Sequence, residues 1–235
     1  VKGGTIDCTN RQAFYLIVLV YFFGIAFVNS VESSPMPTAH LRILETTDLH
    51  MHMLGFDYVT GKESDHFGLS HLAPMISKAR DNADTCLLFD NGDFLQGTPL
   101  AEHLVKYGEP DTTHPMVTAM NALDYDAITL GNHEFDYGLD VLEEAVNLSN
   151  MPVLTANIEY RDRKPSNWGN ADHPLAKNVA PHMLREVGGF KIGIVGLVTP
   201  GLPYWLSPDL LNGVKPLDPV EALQNSVDTL KRQGA

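Results

Sequence analysis

Basic residues are few. Only 16 lysines and arginines stand against 29 aspartates and glutamates in 235 residues, a formal charge of −13. A chain so acidic lacks the basic face needed to neutralise a phosphate backbone, which excludes a non-specific grip on a nucleic acid polymer. Any phosphate handled here must be attracted by something other than the overall field. Cysteine is nearly absent: Cys8 lies in an N-terminal leader and Cys86 sits in the apolar run TCLLF. Neither a disulfide framework nor a thiolate metal cluster can be built from Cys86 alone, which reads as a small buried hydrophobe. Internal repeats and low-complexity tracts are absent as well.

Long apolar runs are also lacking. The longest uncharged one, Ala13 to Val28, has 16 residues, short of the roughly 20 needed to span a bilayer. Lys2 and Arg11 flank the polar lead before it, and the small polar stretch NSVESSPMPTA comes after, with Val28 and Ser30 spaced as a signal peptidase prefers. Residues 1–30 therefore read as a cleaved signal peptide, with an uncleaved anchor as the main alternative and a buried helix as the remainder. Either leading reading exports the rest of the chain, and only the anchor ties it to a membrane.

Residues 39 to 235 have ordinary globular character, in a chain that is 44% apolar and 19% charged over its whole length. Strand-like and helix-like segments alternate. LRILETT reads as a strand, and LSHLAPMISKAR places Leu69, Leu72, Ala73 and Ile76 on one helical face. TCLLF is a short buried strand. PLAEHLVKY and HPMVTAMNAL read as helices, followed by the strand AITL, the helix LDVLEEAVNLS and the strand PVLTANI. Arg161 to Lys177 is polar and rich in Pro, Gly and Asn, as a surface loop is. HMLREV and FKIGIVGLVT flank Gly188-Gly189 as a hairpin, and a last helix begins at Asp218-Pro219. The alternation predicts an α/β sheet with helices on both faces. A helix of that last kind normally returns the chain to another strand, so the sequence reads as interrupted.

Three strand ends are each followed by metal-competent side chains. LETT runs into Asp48-Leu49-His50, CLLF into Asp90-Asn91-Gly92-Asp93, and AITL into Gly131-Asn132-His133-Glu134. In open α/β sheets ligands bind outside the carboxyl ends of the strands, so the loops should converge on one rim. Each alone could be plain turn chemistry; their joint appearance at strand ends points to metal. The residue types suit two hard or borderline divalent cations about 3.5 to 4 Å apart. Asp48 and His50 can turn to one ion, Asp93 has two oxygens with which to bridge, and Asn132 offers a neutral oxygen that keeps the site positive. Gly92 and Gly131 let the backbone approach closely.

DLH, GD and GNHEFDYG in this order resemble the calcineurin-like metallophosphoesterases, specifically their 5'-nucleotidase branch. ILETTDLHMHMLGFDY, FGLSHLAPMISKAR, DNGDFLQGTPLAEH and HPMVTAMNALDYDAITLGNHEFDYGLDVL are similar, within it, to the bacterial 2',3'-cyclic-nucleotide 2'-phosphodiesterase/3'-nucleotidases, over Leu41 to Ala235. The resemblance implies the N-terminal portion of a layered αββα sandwich. It implies Asp48 and His50 on the first metal, Asp93 bridging, Asn132 on the second, His133 as the catalytic histidine and Asp136 as its orienting carboxylate. The two ions would be of manganese, zinc, cobalt or magnesium type. Glu134, Asp90 and Asn91 read as braces of the loops. His52 stands where such enzymes usually have a small or amide residue, and faces either solvent or the substrate.

The implied reaction opens a 2',3'-cyclic nucleotide to the 3'-nucleotide and then releases the nucleoside and phosphate, by attack of a metal-bridging hydroxide, in the bacterial periplasm. A 5'-nucleotidase or nucleotide-sugar hydrolase of the same fold, or a non-catalytic truncated product, are the alternatives. Three further histidine ligands and the C-terminal base-binding domain of such enzymes are not found within these 235 residues. The chain by itself is therefore expected to have little activity.

Overall fold

The computed structural model describes residues 38–108, 114–160, 174–211 and 213–235. The expected signal peptide or anchor lies outside the described residues, as does most of the expected loop between Arg161 and Lys177. In chain order the elements are β1 (Arg42–Thr46), β2 (Phe56–Asp57), β3 (Lys62–Glu63), α1 (Leu69–Asp81), β4 (Cys86–Asp90), α2 (Pro99–Tyr107), α3 (Pro115–Ala122), β5 (Ala127–Thr129) and α4 (Leu139–Leu148). Next come β6 (Val153–Leu154), β7 (Ile158–Tyr160), α5 (Pro174–Asn178), β8 (Val179–Ala180), β9 (His182–Val187), β10 (Phe190–Val195), α6 (Leu202–Trp205), β11 (Val214–Pro216) and α7 (Pro219–Arg232).

The central sheet has five strands in the order β1-β4-β5-β6-β8, and every pair in it is parallel. Parallel neighbours cannot be joined by hairpins, so the helices serve as crossovers: α1 between β1 and β4, α2 and α3 between β4 and β5, α4 between β5 and β6. All five strands therefore end on the same rim. Thr46 pairs with Asp90 at the last rung of β1 and β4, so the two loops beyond them leave the sheet side by side. This is the mixed α/β arrangement with a parallel central sheet that the sequence pattern predicts. Leu88, Ile128, Met116, Met120, Phe135 and Leu142 fill the core around it. Among the described residues no helix is long and apolar enough to cross a membrane.

Local chemistry sets the helix starts. Thr98 accepts the Ala101 N–H at 3.3 Å with Pro99 next to it. Asp218 accepts from Val220 and Glu221 at 2.8 and 3.1 Å with Pro219 at the first helical position. The β9–β10 hairpin turns through Gly188 and Gly189, both at positive φ (57° and 81°), which glycine adopts without strain.

Two expectations are corrected. PVLTANI is not one strand: after β6 the chain bends at Thr155–Asn157, and β7 pairs instead with β11. The buried side chain of Asn157 makes the bend, accepting the Val198 N–H at 2.9 Å and donating to the Val198 and Leu217 carbonyls at 2.8 and 3.3 Å. Residues 174–177, read as the end of a loop, belong to α5, because Leu175 buries itself in the core. β8, two residues long, joins the central sheet at the edge beside β6, too short to leave a periodic signal.

His114 precedes Pro115 at the head of α3, and burial pushes its imidazole down to about 4. An unfolded His114 titrates near 6.5. Between those values the unfolded chain binds the extra proton, so stability present above pH 6.5 is lost as pH falls toward 4. The full span amounts to about 3 kcal/mol. Replacing His114 with Leu is expected to flatten that acid limb, read as Tm against pH in parallel with the wild type.

Candidate functional site

The site begins with how two loops are stitched together beyond β1 and β4. The N–H groups of Asp48, His50 and Met51 donate to the carbonyls of Gly92, Asp93 and Phe94 at 3.1, 2.8 and 3.0 Å, and Asn91 N–H donates to Thr46 at 2.9 Å. The ladder holds Asp48, His50, Met51 and Asp93 at positive φ (54°, 44°, 59° and 61°). Such conformations are uncommon for non-glycine residues and cluster where function requires a side chain aimed against the local preference. Beneath them Asp90 is buried. Its carboxylate accepts the Thr46 hydroxyl at 2.5 Å and the Gly92 N–H at 2.9 Å, and the Thr46 oxygen lies 2.9 Å from the Tyr125 hydroxyl. Burial pushes the Asp90 carboxyl up to about 7, against the pull of those two donors.

The third loop leaves β5 and meets the second backbone to backbone. A Cβ on Gly92 would lie 2.2 Å from the Gly131 nitrogen, and one on Gly131 would lie 2.2 Å from Asp93 Oδ1. Only glycine fits at both positions. Glu134, 0% exposed, ties the junction: Oε2 accepts the N–H groups of Asp93 and Gly131 at 2.7 and 2.6 Å, and Oε1 those of Phe94 and Leu95 at 2.7 and 3.2 Å. Burial raises the carboxyl above its ordinary value, while the backbone donors of Asp93, Phe94 and Gly131 pull the other way.

On this frame His50, Asp93 and His133 each offer a ligand atom, all within 4.8 Å of one another. His50 Nδ1 lies 2.7 Å from the Gln96 carbonyl, which fixes the proton there and leaves Nε2 for a ligand. Asp48 Oδ1 is 3.6 Å from that Nε2. Asp93 Oδ1 accepts the His133 N–H at 2.9 Å. His133 Nδ1 is 2.7 Å from Asp136 Oδ2, and the two imidazoles of His50 and His133 meet edge to face at 5.1 Å. Burial works to lower the His133 imidazolium, but the hydrogen bond and charge of Asp136, with the charges of Asp93 and Glu134, raise it overall.

Of the six residues singled out in the sequence, the structure brings Asp48, His50, Asp93 and His133 to one place, with Asp136 against His133. Asn132 precedes His133 in the same loop, and its carbonyl accepts the Phe135 N–H at 3.3 Å. A convergent set of imidazole nitrogens and carboxylate oxygens, with one imidazole oriented from behind by a carbonyl, fits a borderline divalent cation. Nothing in the sequence pointed to the Gln96 carbonyl, since a backbone acceptor leaves no trace in residue identity. The four N–H groups on Glu134 were equally hidden; a lone carboxylate beside an apolar residue at a strand end was the available signal. Tyr58 and Phe56 pack edge to face at 5.1 Å as loop anchors, whereas Trp205 is 64% exposed beside Gly201.

The family model for calcineurin-like phosphoesterase matches residues 41–200. The chain is 39% identical over 212 residues to the trifunctional nucleotide phosphoesterase protein YfkN of Bacillus subtilis, covering 87% of this chain and 14% of that protein. It is 35% identical over 209 residues to the 2',3'-cyclic-nucleotide 2'-phosphodiesterase/3'-nucleotidase of Salmonella typhimurium, covering 84% of this chain and 30% of that one. Among solved structures, calcineurin-like phosphoesterase YfkN from Bacillus subtilis matches with a TM-score of 0.73 and 37% identity, over 85% of this chain and 60% of that chain. The chain thus spans well under half the length of these two curated relatives.

Proposed function

The chain belongs to the calcineurin-like phosphoesterase family, and on that basis we propose that it carries the first part of the active site of an exported nucleotide phosphoesterase. Its substrates would be 2',3'-cyclic nucleotides, opened to 3'-nucleotides and then hydrolysed to nucleosides and phosphate. One observation carries this reading: the convergence of His50, Asp93 and His133 at the rim of the parallel sheet. The names of the relatives support the substrate class. The leader-like residues 1–30 support export.

Asp48, His50, Asp93 and Asn132 would hold the metal. Divalent ions bound there supply Lewis acidity that offsets charge on the phosphoryl oxygens and activates water. The protein's own residues do the rest. His133, with Nδ1 held by Asp136, presents Nε2 to protonate the departing ribose oxygen. Asp136 fixes the tautomer and orientation of that ring, as the partner of a catalytic imidazole must. Glu134 contacts no substrate; it keeps the Asp93 and Gly131 backbones in register so that the ligands stay aimed. Cations held there would also let so acidic a chain attract a phosphate.

The reading is tested with the gene product that carries this chain, assayed side by side on 2',3'-cyclic AMP, 3'-AMP and 5'-AMP with manganese added. The first two are expected to turn over and 5'-AMP to lag well behind. Preferred hydrolysis of 5'-AMP would replace the cyclic-nucleotide reading with a 5'-nucleotidase. Absence of hydrolysis of all three would remove the nucleotide reading.

A further inference from the structure

The second rim loop carries Asn91 directly before Gly92, between the end of β4 and Asp93. An asparagine followed by glycine is the pair most open to loss of the side-chain amide, because glycine has no Cβ to keep its nitrogen away from the asparagine Cγ. The reaction needs only water. The Gly92 nitrogen bonds to Asn91 Cγ, its proton leaves with the amide nitrogen as ammonia, and a five-membered imide remains. Water opens the imide at either carbonyl, giving aspartate or isoaspartate, in which the main chain runs through the former side chain.

In the folded chain both reacting groups are tied down. The Gly92 N–H donates to the buried Asp90 carboxylate at 2.9 Å, which holds the nitrogen in its peptide plane and opposes removal of the proton. The Asn91 side-chain nitrogen donates to Glu45 on β1, and the Asn91 N–H donates to the Thr46 carbonyl at 2.9 Å. Asn91 itself is exposed, so water reaches it once these contacts open.

The position makes the reaction consequential. The Asn91 N–H and the Gly92 and Asp93 carbonyls are successive rungs with Thr46, Asp48 and His50, at 2.9, 3.1 and 2.8 Å. Isoaspartate places one extra backbone atom between the first rung and the second. The Gly92–Gly131 contact, where a Cβ would fall 2.2 Å from the Gly131 nitrogen, leaves no slack to absorb it. Aspartate instead sets a second carboxylate against Glu45.

We propose that Asn91 is a latent deamidation site, kept closed by Asp90 and Glu45, whose conversion to isoaspartate dismantles the His50–Asp93–His133 cluster. The loss of metal that follows rests on the metal reading of that cluster; the bond chemistry does not.

The gene product carrying this chain is incubated at mildly alkaline pH as wild type, Glu45→Ala and Asn91→Gln, beside wild type unfolded in guanidinium chloride. Conversion of amide to acid in the peptide holding Asn91 is followed by mass spectrometry. Glu45 is exposed on its strand, so alanine there leaves the core intact. Folded wild type is expected to react about tenfold or more slowly than the unfolded chain, since two hydrogen bonds must open first, and Glu45→Ala about threefold to tenfold faster than folded wild type. Glutamine can close only a six-membered ring, so Asn91→Gln should stay intact. Manganese uptake by the same samples, measured by calorimetry, should fall with the converted fraction in wild type and hold steady in Asn91→Gln. Equal rates for folded and unfolded wild type, or no acceleration in Glu45→Ala, would overturn the proposal, as would converted protein that binds manganese as well as fresh protein. If fresh wild type takes up no manganese, the metal reading fails and the stated consequence with it, whatever the rates.

Discussion

Asp93→Ala is expected to reduce metal-dependent hydrolysis of bis(4-nitrophenyl) phosphate by the gene product by at least about a hundredfold, since even residues one shell behind a metal ligand typically cost 10- to 100-fold. Asp93 does three things at once. It offers a carboxylate oxygen to the cluster with His50 and His133, it accepts the His133 N–H at 2.9 Å, and its carbonyl receives the His50 N–H at 2.8 Å. Alanine removes the first two and must also sit at φ 61°, a conformation it adopts poorly. Asp93→Asn separates these effects. Asparagine tolerates positive φ and keeps an oxygen for the His133 N–H, yet lacks the negative charge. Activity of Asp93→Asn should therefore remain far below wild type while its Tm stays close. If both variants kept full activity, Asp93 would have no part in the chemistry.

Glu134→Ala has the largest expected effect on stability, a loss on the order of 4 kcal/mol. Its carboxylate accepts four backbone N–H groups in a fully buried position. Truncation leaves those donors without an acceptor, at about 1 to 3 kcal/mol for each one that stays dry. Partial entry of water is expected to keep the loss below that sum. Glu134→Gln is no rescue, because its NH₂ group would face N–H donors on one side of the site. Both variants should lower the urea midpoint, Ala more than Gln, and a change in stability below about 1 kcal/mol would show that the loops are held by something else.

The two expectations belong to different layers of the site, and the sequence exposed them unequally. DLH, DNGD and GNHE could be placed at strand ends because the short strand-like segments LRILETT, TCLLF and AITL precede them, although the first, at the sheet edge, is mostly exposed. From there the rim follows from topology alone. The hairpin at Gly188-Gly189 and the cap at Asp218 are equally local, each written in two or three residues. The bend at Asn157 is not local: it depends on Val198 and Leu217, 41 and 60 residues away. The Gly92–Gly131 contact and the Glu134 clamp likewise exist only once β4 and β5 lie side by side. Two-residue strands such as β6 and β8 are too short for any period, so their pairing is decided by neighbours.

The same division governs His52 and Asn91. Both residue types were visible beside expected ligands, but the stack of His52 on Phe67 and the contacts of Asn91 with Glu45 and of Gly92 with Asp90 needed the fold. Sequence therefore singled out residues that converge in space, while the structure supplied the orientation of each group.

Every functional step proposed for this chain depends on the three loops forming a divalent-metal site. Calorimetric titration of manganese into the wild-type protein, Asp93→Ala and His50→Ala probes that dependence without any substrate. Saturable uptake by the wild type, lost in both variants while their circular dichroism is unchanged, is the predicted result. No uptake by the wild type, or uptake by Asp93→Ala equal to that of the wild type, would contradict it.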